Sequence, residues 1–162
     1  MAIRYLKIIL VLFVGLEAWL YVSANIANWD AGLAAIGYVL GQDGHEYYSV
    51  HIFPALTSPV AHAIAFLIIL AGEFLVGALS FKGALDLWRT RKGTAEAFNA
   101  AKRFAIAGCA MAMVVWFGGF YVIGGALFQM WQTEIGDGSL SGAFAYAVTA
   151  GLILLFIDRP DP

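Results

Sequence analysis

The stretch SPVAHAIAFLIILAGEFLVGALSFKGALDLWRTRK, residues 58–92, decides the fold. A serine followed by a proline favours a helix start, because the hydroxyl can cap the first turn and proline fits its first position. The apolar run Val60–Phe81 then covers ~33 Å at helical rise, about one bilayer core. Only His62 and Glu73 in that run are ionisable. The stretch therefore predicts a membrane-spanning helix whose basic end lies in water.

The composition predicts a membrane protein over the whole chain. Of its 162 residues, 62% are hydrophobic and 12% are charged, whereas charged residues make up about 25% of a soluble domain. This length suits a single membrane domain, residues 1–162. The single cysteine excludes an intrachain disulfide and a paired-cysteine metal or redox motif.

Three more apolar runs complete the predicted fold, an all-α antiparallel bundle of four transmembrane helices. Residues 28–58 are expected to form a structured extracytoplasmic loop between helices 1 and 2, with Asp30–Leu40 as a short interfacial helix. Thr133–Ser139 is expected to be a turn. A signal peptide with a cleavage-like site at Val22–Ala24 is the alternative for the first run. The predicted spans are approximately 5–27, 59–82, 104–129 and 140–157.

Basic residues are confined to one side of this topology. The loop at 28–58 and the turn at 133–139 contain no lysine or arginine, although both contain acidic residues. By the positive-inside rule both termini of this multi-pass protein are expected to be cytoplasmic. The residues on the side of the termini are Arg4, Lys7, Lys82, Arg89, Arg91, Lys92, Lys102, Arg103 and Arg159.

Small residues indicate which helices pack closely. Lipid gives helices no hydrophobic reason to associate, so close backbone approach at small side chains is expected to drive packing. Helices 3 and 4 are predicted to pair as a hairpin on this basis. The contact residues are predicted to be Gly118, Gly125, Ala143, Ala147 and Gly151.

Glu17 and Glu73 are the most informative candidate site residues. Counted from Lys7 and Lys82, the two carboxyl groups are expected within ~2 Å of the same depth, near the middle of the membrane. An acid at that depth is costly and is a functional candidate by default. Three interpretations stay open: a neutral acid that hydrogen-bonds within the bundle, a site for a proton, cation or polar ligand, and a contact to another subunit.

Three histidines lie on the predicted outer side. His62 shares a helix face with Glu73 but is ~16 Å from it along the axis, so only a water-lined path could join them. His45, His51 and His62 are weak candidate ligands for zinc or copper, because their spacing is irregular. Interfacial packing or hydrogen bonding is the alternative. No motif in the sequence implies a cofactor, a catalytic constellation or nucleic-acid binding.

Several short motifs resemble a bacterial family of predicted small integral membrane proteins, domain of unknown function 2165. The resemblance covers nearly the whole chain and implies four helices in the inner membrane, but it implies no activity. The motifs are Ala27–Asp30 (ANWD), Phe53–His62 (FPALTSPVAH), Gly72-Glu73, Leu87–Arg89 (LWR) and Trp116–Phe120 (WFGGF).

Three functions are compatible with these observations. The favoured one is an accessory or structural subunit that associates with other integral subunits of a larger membrane complex, respiratory or photosynthetic. The second is a small proton-coupled carrier that uses Glu17, Glu73 and His62. The third is a metal or quinone site at the outer surface, under the 28–58 loop.

Overall fold

The computed structural model describes residues 1–48 and 50–161, so Ser49 in the predicted outer loop and Pro162 at the end lie outside the described residues. Helices make up most of the described chain, which contains no strand. A π-helical segment, Val114–Leu127, continues the fifth helix, and a 3₁₀ turn, Met130–Gln132, precedes the sixth. The α-helices are α1 Ala2–Ala27, α2 Trp29–Leu40, α3 Pro59–Thr90, α4 Ala95–Ala100, α5 Arg103–Met113 and α6 Glu134–Asp158.

Four helical stretches are long and apolar enough to cross a membrane, which confirms the predicted fold class. Consecutive spans run antiparallel, so the bundle has two distinct ends. Both chain ends and the α3–α4 connection meet at the terminal end, where Arg4 bonds to the Gly93 carbonyl. The short helix α2, residues 41–48 and 50–58 and the 3₁₀ turn form the loop end. The spans are Ala2–Ala27, Pro59–Thr90, Ala95–Leu127 and Glu134–Asp158.

The third span begins earlier than predicted and is not a uniform helix. Thr94 caps α4 as expected, because its side-chain oxygen accepts a hydrogen bond from the Ala97 amide (3.3 Å). After α5 the chain winds into the wider π-helix, and the Phe128 amide bonds to the Ile123 carbonyl (3.0 Å). Glycine pairs at 118–119 and 124–125 loosen this segment, because glycine stabilises an α-helix least among residues other than proline. Gln129, at φ 54°, ends it.

The predicted turn at Thr133–Ser139 is wrong, because α6 already begins at Glu134. The Thr133 side-chain oxygen accepts a hydrogen bond from the Gly136 amide (3.1 Å), which caps the helix. Glu134 and Asp137 lie in the first turn, where acidic side chains favour the positive end of the helix dipole. The cap and these acids therefore start the helix within the predicted turn.

The predicted pairing of helices 3 and 4 forms, and the closest backbone approaches lie on the two sides of α3. A Cβ at Gly83 would overlap the backbone of Ala105 on α5, and a Cβ at Gly108 would overlap Ser80. On the other side of α3, the indole of Trp19 occupies the space in front of Gly77. The central helix of the bundle is therefore α3, which packs between α1 and α5.

The predicted hairpin residues are only partly at contacts. Gly118 has no atom within 4 Å of where a Cβ would be, because the π-helix turns it away from α6. A Cβ at Gly125 would touch Leu140, and one at Gly151 would touch Met113. Ala143 and Ala147 on α6 are buried.

A buried charge cluster holds the terminal end together. The Asp161 carboxylate lies 2.7 Å from both the Lys7 and Lys102 ammonium groups, and these three side chains are at most 4% exposed. Asn99 bonds to the backbone amide and carbonyl of Asp161, and Lys7 also donates to the Arg159 carbonyl (2.8 Å). The C-terminal tail therefore folds back across the bundle and joins three spans.

Candidate functional site

Glu17 lies on the outer surface of the bundle, in the middle of α1. Its side chain is exposed, and at helical rise it is about 15 Å or more from either end of the helix. No residue within 1–48 or 50–161 forms a hydrogen bond or an ion pair with it. Phe13 and Leu20 share its face and are 59% and 60% exposed. Glu17 is therefore a carboxyl group in a lipid-facing apolar stripe.

Tyr21, one turn beyond Glu17, joins this stripe to the bundle. Its ring lies 6.2 Å from the rings of both Trp116 and Tyr146. The Tyr146 hydroxyl donates a 2.6 Å hydrogen bond to the Val14 carbonyl, which fixes α6 against α1. The surface around Glu17 is thus supported by a rigid aromatic cluster.

Glu73 has the opposite environment. It is 2% exposed, between α1 and α3, and its Oε2 accepts a 3.0 Å hydrogen bond from the Asn25 amide group. This contact corresponds to the first interpretation of an intramembrane acid, a polar link between two helices.

The two glutamates are not at the same depth, contrary to the sequence-based count. Trp19 on α1 bonds to the Phe74 carbonyl on α3 (3.2 Å), and Asn25 reaches Glu73. In this register Glu73 lies ~8–12 Å nearer the loop end than Glu17.

The error came from treating Lys7 and Lys82 as markers of one membrane edge. Gly15 packs against Ser80, so Lys82 lies ~9 Å deeper along the bundle than Lys7. Its long side chain is 47% exposed and reaches Asp86 one turn closer to the terminal end. A lysine can therefore be placed well inside the edge that its charge occupies.

The three histidines separate into a pair and a single residue. His62 Nε2 lies 2.6 Å from the Leu56 carbonyl, and its ring packs against Gly37 of α2. His45 and His51 lie together, with ring centroids 5.4 Å apart and planes tilted by 44°. The structure therefore does not bring Glu17, Glu73 and His62 into one site.

The pair of imidazoles has unusual hydrogen bonding. Both nitrogens of His45 and the Nδ1 of His51 are buried and have no hydrogen-bond partner in the described chain. Burial lowers the pKa of His45, the neighbouring His51 lowers it further, and Asp43 acts in the opposite direction. No group of three or more histidine, cysteine, aspartate or glutamate side chains suited to a metal ion occurs among the described residues.

Gln132 fixes the loop that carries the pair. Its Oε1 accepts hydrogen bonds from the Tyr47 and Tyr48 amides (3.0 and 2.9 Å). Both tyrosine rings pack against Trp131, at centroid distances of 6.4 and 5.2 Å. Sequence reasoning missed this anchor, because a glutamine 84 residues away in the sequence carries no local signal.

An apolar cavity of about 330 Å³ lies under α2. Its walls come from α2, α3 and the π-helical segment, and every lining side chain is apolar, including Leu40, Ile69 and Phe120. The cavity suits a hydrocarbon chain. A quinone headgroup would need a hydrogen-bond donor, and none of the lining side chains supplies one.

Comparison with known proteins gives one result. The family model described as predicted small integral membrane protein, domain of unknown function 2165, matches residues 3–160. No curated protein and no solved structure matches the chain significantly. The all-helical bundle, its four candidate spans and this match together place the chain in the family of predicted small integral membrane proteins with domain of unknown function 2165.

Proposed function

We propose that this protein is an accessory subunit of the bacterial inner membrane that binds another integral membrane chain through α1. The observation that carries the proposal is the exposed Glu17 in the middle of that helix. We further propose that both termini are cytoplasmic, because all nine lysines and arginines belong to the side of the termini in a four-span topology.

An acid that faces lipid is energetically unfavourable. A charged residue at the centre of a transmembrane helix costs about 2.5–3.5 kcal/mol on insertion scales, and such residues nearly always face a bundle interior or a cavity. Within the described residues, Glu17 faces neither the interior of the bundle nor a cavity. A neighbouring chain that covers this face would remove the cost by supplying a hydrogen-bond donor or a positive charge.

The chemistry of the surface specifies the partner. Phe13, Leu20 and Tyr21 around Glu17 offer apolar area for a second helix, and the carboxyl group selects for a lysine, arginine, histidine or hydroxyl opposite it. A symmetric dimer with its two-fold axis at Glu17 would instead place two carboxyl groups against each other. We therefore propose a different chain that carries the complementary donor.

The other intramembrane groups support this choice over a carrier. Glu73 is bonded to Asn25, and His62 is bonded to the Leu56 carbonyl. Both already have partners within the bundle, and neither lies near Glu17. An accessory role needs only the exposed carboxyl group of Glu17. A proton path would need Glu17, Glu73 and His62 to be joined by hydrogen bonds.

Photo-crosslinking in native membranes tests the proposal. Benzoylphenylalanine replaces Phe13 in the stripe or, as a matched control, Phe117, a phenylalanine of similar exposure on the third span (59% and 56%). We expect a heterologous product from position 13 and little from position 117. Adding Glu17→Leu should weaken that product about 5–30-fold, the loss of one interhelical hydrogen bond of about 1–2 kcal/mol.

Three outcomes would contradict the proposal. Equal products at positions 13 and 117 would mean that the stripe is an ordinary lipid-facing surface. A product of twice the mass of this chain would indicate a homodimer. An unchanged heterologous product in Glu17→Leu would remove the carboxyl group from the interface.

A further inference from the structure

We propose that His45 and His51 form a binding site for a transition-metal cation of the Zn²⁺ class at the loop end. The inference concerns the opposite end of the molecule from the charge cluster and does not depend on the Glu17 interface. It rests on the two unsatisfied imidazoles and on the rigid loop that brings them together.

The hydrogen-bonding deficit is the first observation. Both His45 nitrogens and the His51 Nδ1 are buried and have no hydrogen-bond partner among the described residues. Buried polar groups in native proteins are nearly always satisfied, and a bound ion is one way to satisfy such an exception. Three nitrogens of this kind therefore lie close together, in two neighbouring imidazole rings.

The spacing of the rings fits a shared ion. Zinc–nitrogen bonds are about 2.0–2.1 Å and tetrahedral, which puts two coordinating nitrogens ~3.4 Å apart. Ring centroids 5.4 Å apart with a 44° tilt are compatible with this, because each nitrogen lies on the rim of its ring. One ion between the rings would satisfy a nitrogen of each.

The site would be open rather than structural. Since no third histidine, cysteine or acidic side chain completes a ligand set in the described part of the chain, water supplies the other positions. Asp43 is exposed and close enough to His45 to act on it electrostatically, so it adds negative charge beside the ion. Such a site binds an exchangeable cation.

The loop holds the pair in place from both sides. Gln132 fixes the amides of Tyr47 and Tyr48, which lie between the two histidines in sequence. Gln42 donates to the Phe53 carbonyl (2.8 Å) and closes the loop around them. The rings therefore do not have to be ordered by the ion, which lowers the entropic cost of binding.

His62 supplies the control within the same molecule. Its Nε2 is already hydrogen-bonded to the Leu56 carbonyl, so an ion bound at that nitrogen would have to displace this bond. The protein carries only three histidines, and a non-histidine affinity tag keeps that number unchanged. Single substitutions can therefore separate the pair from the lone residue.

The test is a Zn²⁺ titration by calorimetry of the chelator-stripped protein in detergent, for the wild type and for His45→Asn, His51→Asn and His62→Gln. We expect one Zn²⁺ per chain, affinity at least about tenfold lower in each of the first two variants, as for loss of a metal-ligand contact, and little change in His62→Gln. Absence of saturable binding to the wild type would overturn the proposal, as would equal affinity in all variants.

A second measurement on the wild type alone covers the case in which a variant does not fold. Diethyl pyrocarbonate modifies accessible imidazole nitrogens, and peptide mass spectrometry locates the products. We expect Zn²⁺ to protect His51, whose Nε2 is not among the buried nitrogens, and to leave His62 unaffected. Uniform modification with and without Zn²⁺ would overturn the assignment.

Discussion

At the terminal end a buried carboxylate is paired by its own chain, whereas at the loop end three buried imidazole nitrogens are not. Asp161 meets two lysines at 2.7 Å, and Asn99 bonds to its backbone. His45 and His51 are half-buried, and three of their nitrogens have no hydrogen-bond partner among the described residues. The two ends therefore differ in hydrogen-bond satisfaction.

This difference separates architecture from candidate function. A polar group that is satisfied by its own chain has its role explained by the fold, as for Glu73 with Asn25. A polar group that the fold positions but leaves unpartnered points to something outside the chain. Glu17 in the membrane and the His45–His51 pair at the loop end are of this second kind.

The strongest test of the terminal end is removal of its central carboxylate. Asp161→Ala would leave Lys7 and Lys102 buried near each other without the carboxylate that neutralises them. We expect a loss of about 3–5 kcal/mol in the free energy of unfolding, as when one partner of a buried ion pair is removed. Unfolding in mixed detergent micelles, followed by far-ultraviolet circular dichroism, measures it.

The neighbouring Asp158→Asn is the matched control, because Asp158 is an exposed acid. It should change stability by less than about 0.5 kcal/mol. Replacing Asp161, Lys7 and Lys102 together by apolar residues should recover much of the loss, since buried ion clusters are often replaceable by apolar side chains. A small change in the free energy of unfolding in Asp161→Ala would mean that the C-terminal tail does not stabilise the bundle.

Low pH should weaken the contacts of Asp161 in the C-terminal tail, with a smaller loss of stability than Asp161→Ala causes. Burial disfavours ionised Asp161, but hydrogen bonds from Lys102 and Lys7 and their positive charges outweigh it and lower the pKa of Asp161. Because the folded pKa lies below the ordinary value of 3.8, the stabilisation is complete above about pH 4 and disappears as the pH falls through the folded pKa.

The measurement is the unfolding midpoint of the wild type and of Asp161→Asn between pH 7 and pH 2. The wild type should lose more stability than the variant, and the extra loss should be confined to the acid side of pH 4. Parallel pH curves for the two proteins would disprove the linkage.

The smallest expected effect is at the loop end. Gln132→Ala removes the acceptor of two amide hydrogen bonds, each contributing ~0.5–1.5 kcal/mol. We expect faster hydrogen exchange of the Tyr47 and Tyr48 amides, with little change in global unfolding, because the loop lies outside the spans. Gln42→Ala, which loses one exposed bond to Phe53, is the control and should leave these two amides unchanged. Unaltered exchange in Gln132→Ala would mean that other contacts hold the loop.

The main features of the fold were predictable because they depend on local pattern. The apolar run after Ser58-Pro59 is long enough to span a bilayer wherever it packs, and α3 begins at Pro59 as expected. The Thr94 cap of α4 is also local, because its side chain bonds to an amide only three residues further along the chain. The predicted turn at 133–139 was wrong, because the Thr133 cap and the acids that follow it start α6 at Glu134.

The candidate sites were only partly predictable, because they depend on helix rotation and register. Glu17 and Glu73 look equivalent in sequence, yet one faces outward and the other is 2% exposed. The three histidines also look alike, and only tertiary contacts assign His62 to the Leu56 carbonyl. Neither the difference between the two glutamates nor that among the three histidines can be read from the neighbouring residues in the sequence.

The sequence by itself determined that this protein is a four-span helical membrane protein, because hydrophobic length and backbone hydrogen bonding in lipid allow little else. Only the tertiary structure decided that Lys7, Lys102 and Asp161 form one buried cluster and that Glu17 has no hydrogen-bond or ion-pair partner among the described residues. The physical reason is that burial and pairing depend on which helix faces meet, and that is settled by contacts between residues far apart in the chain.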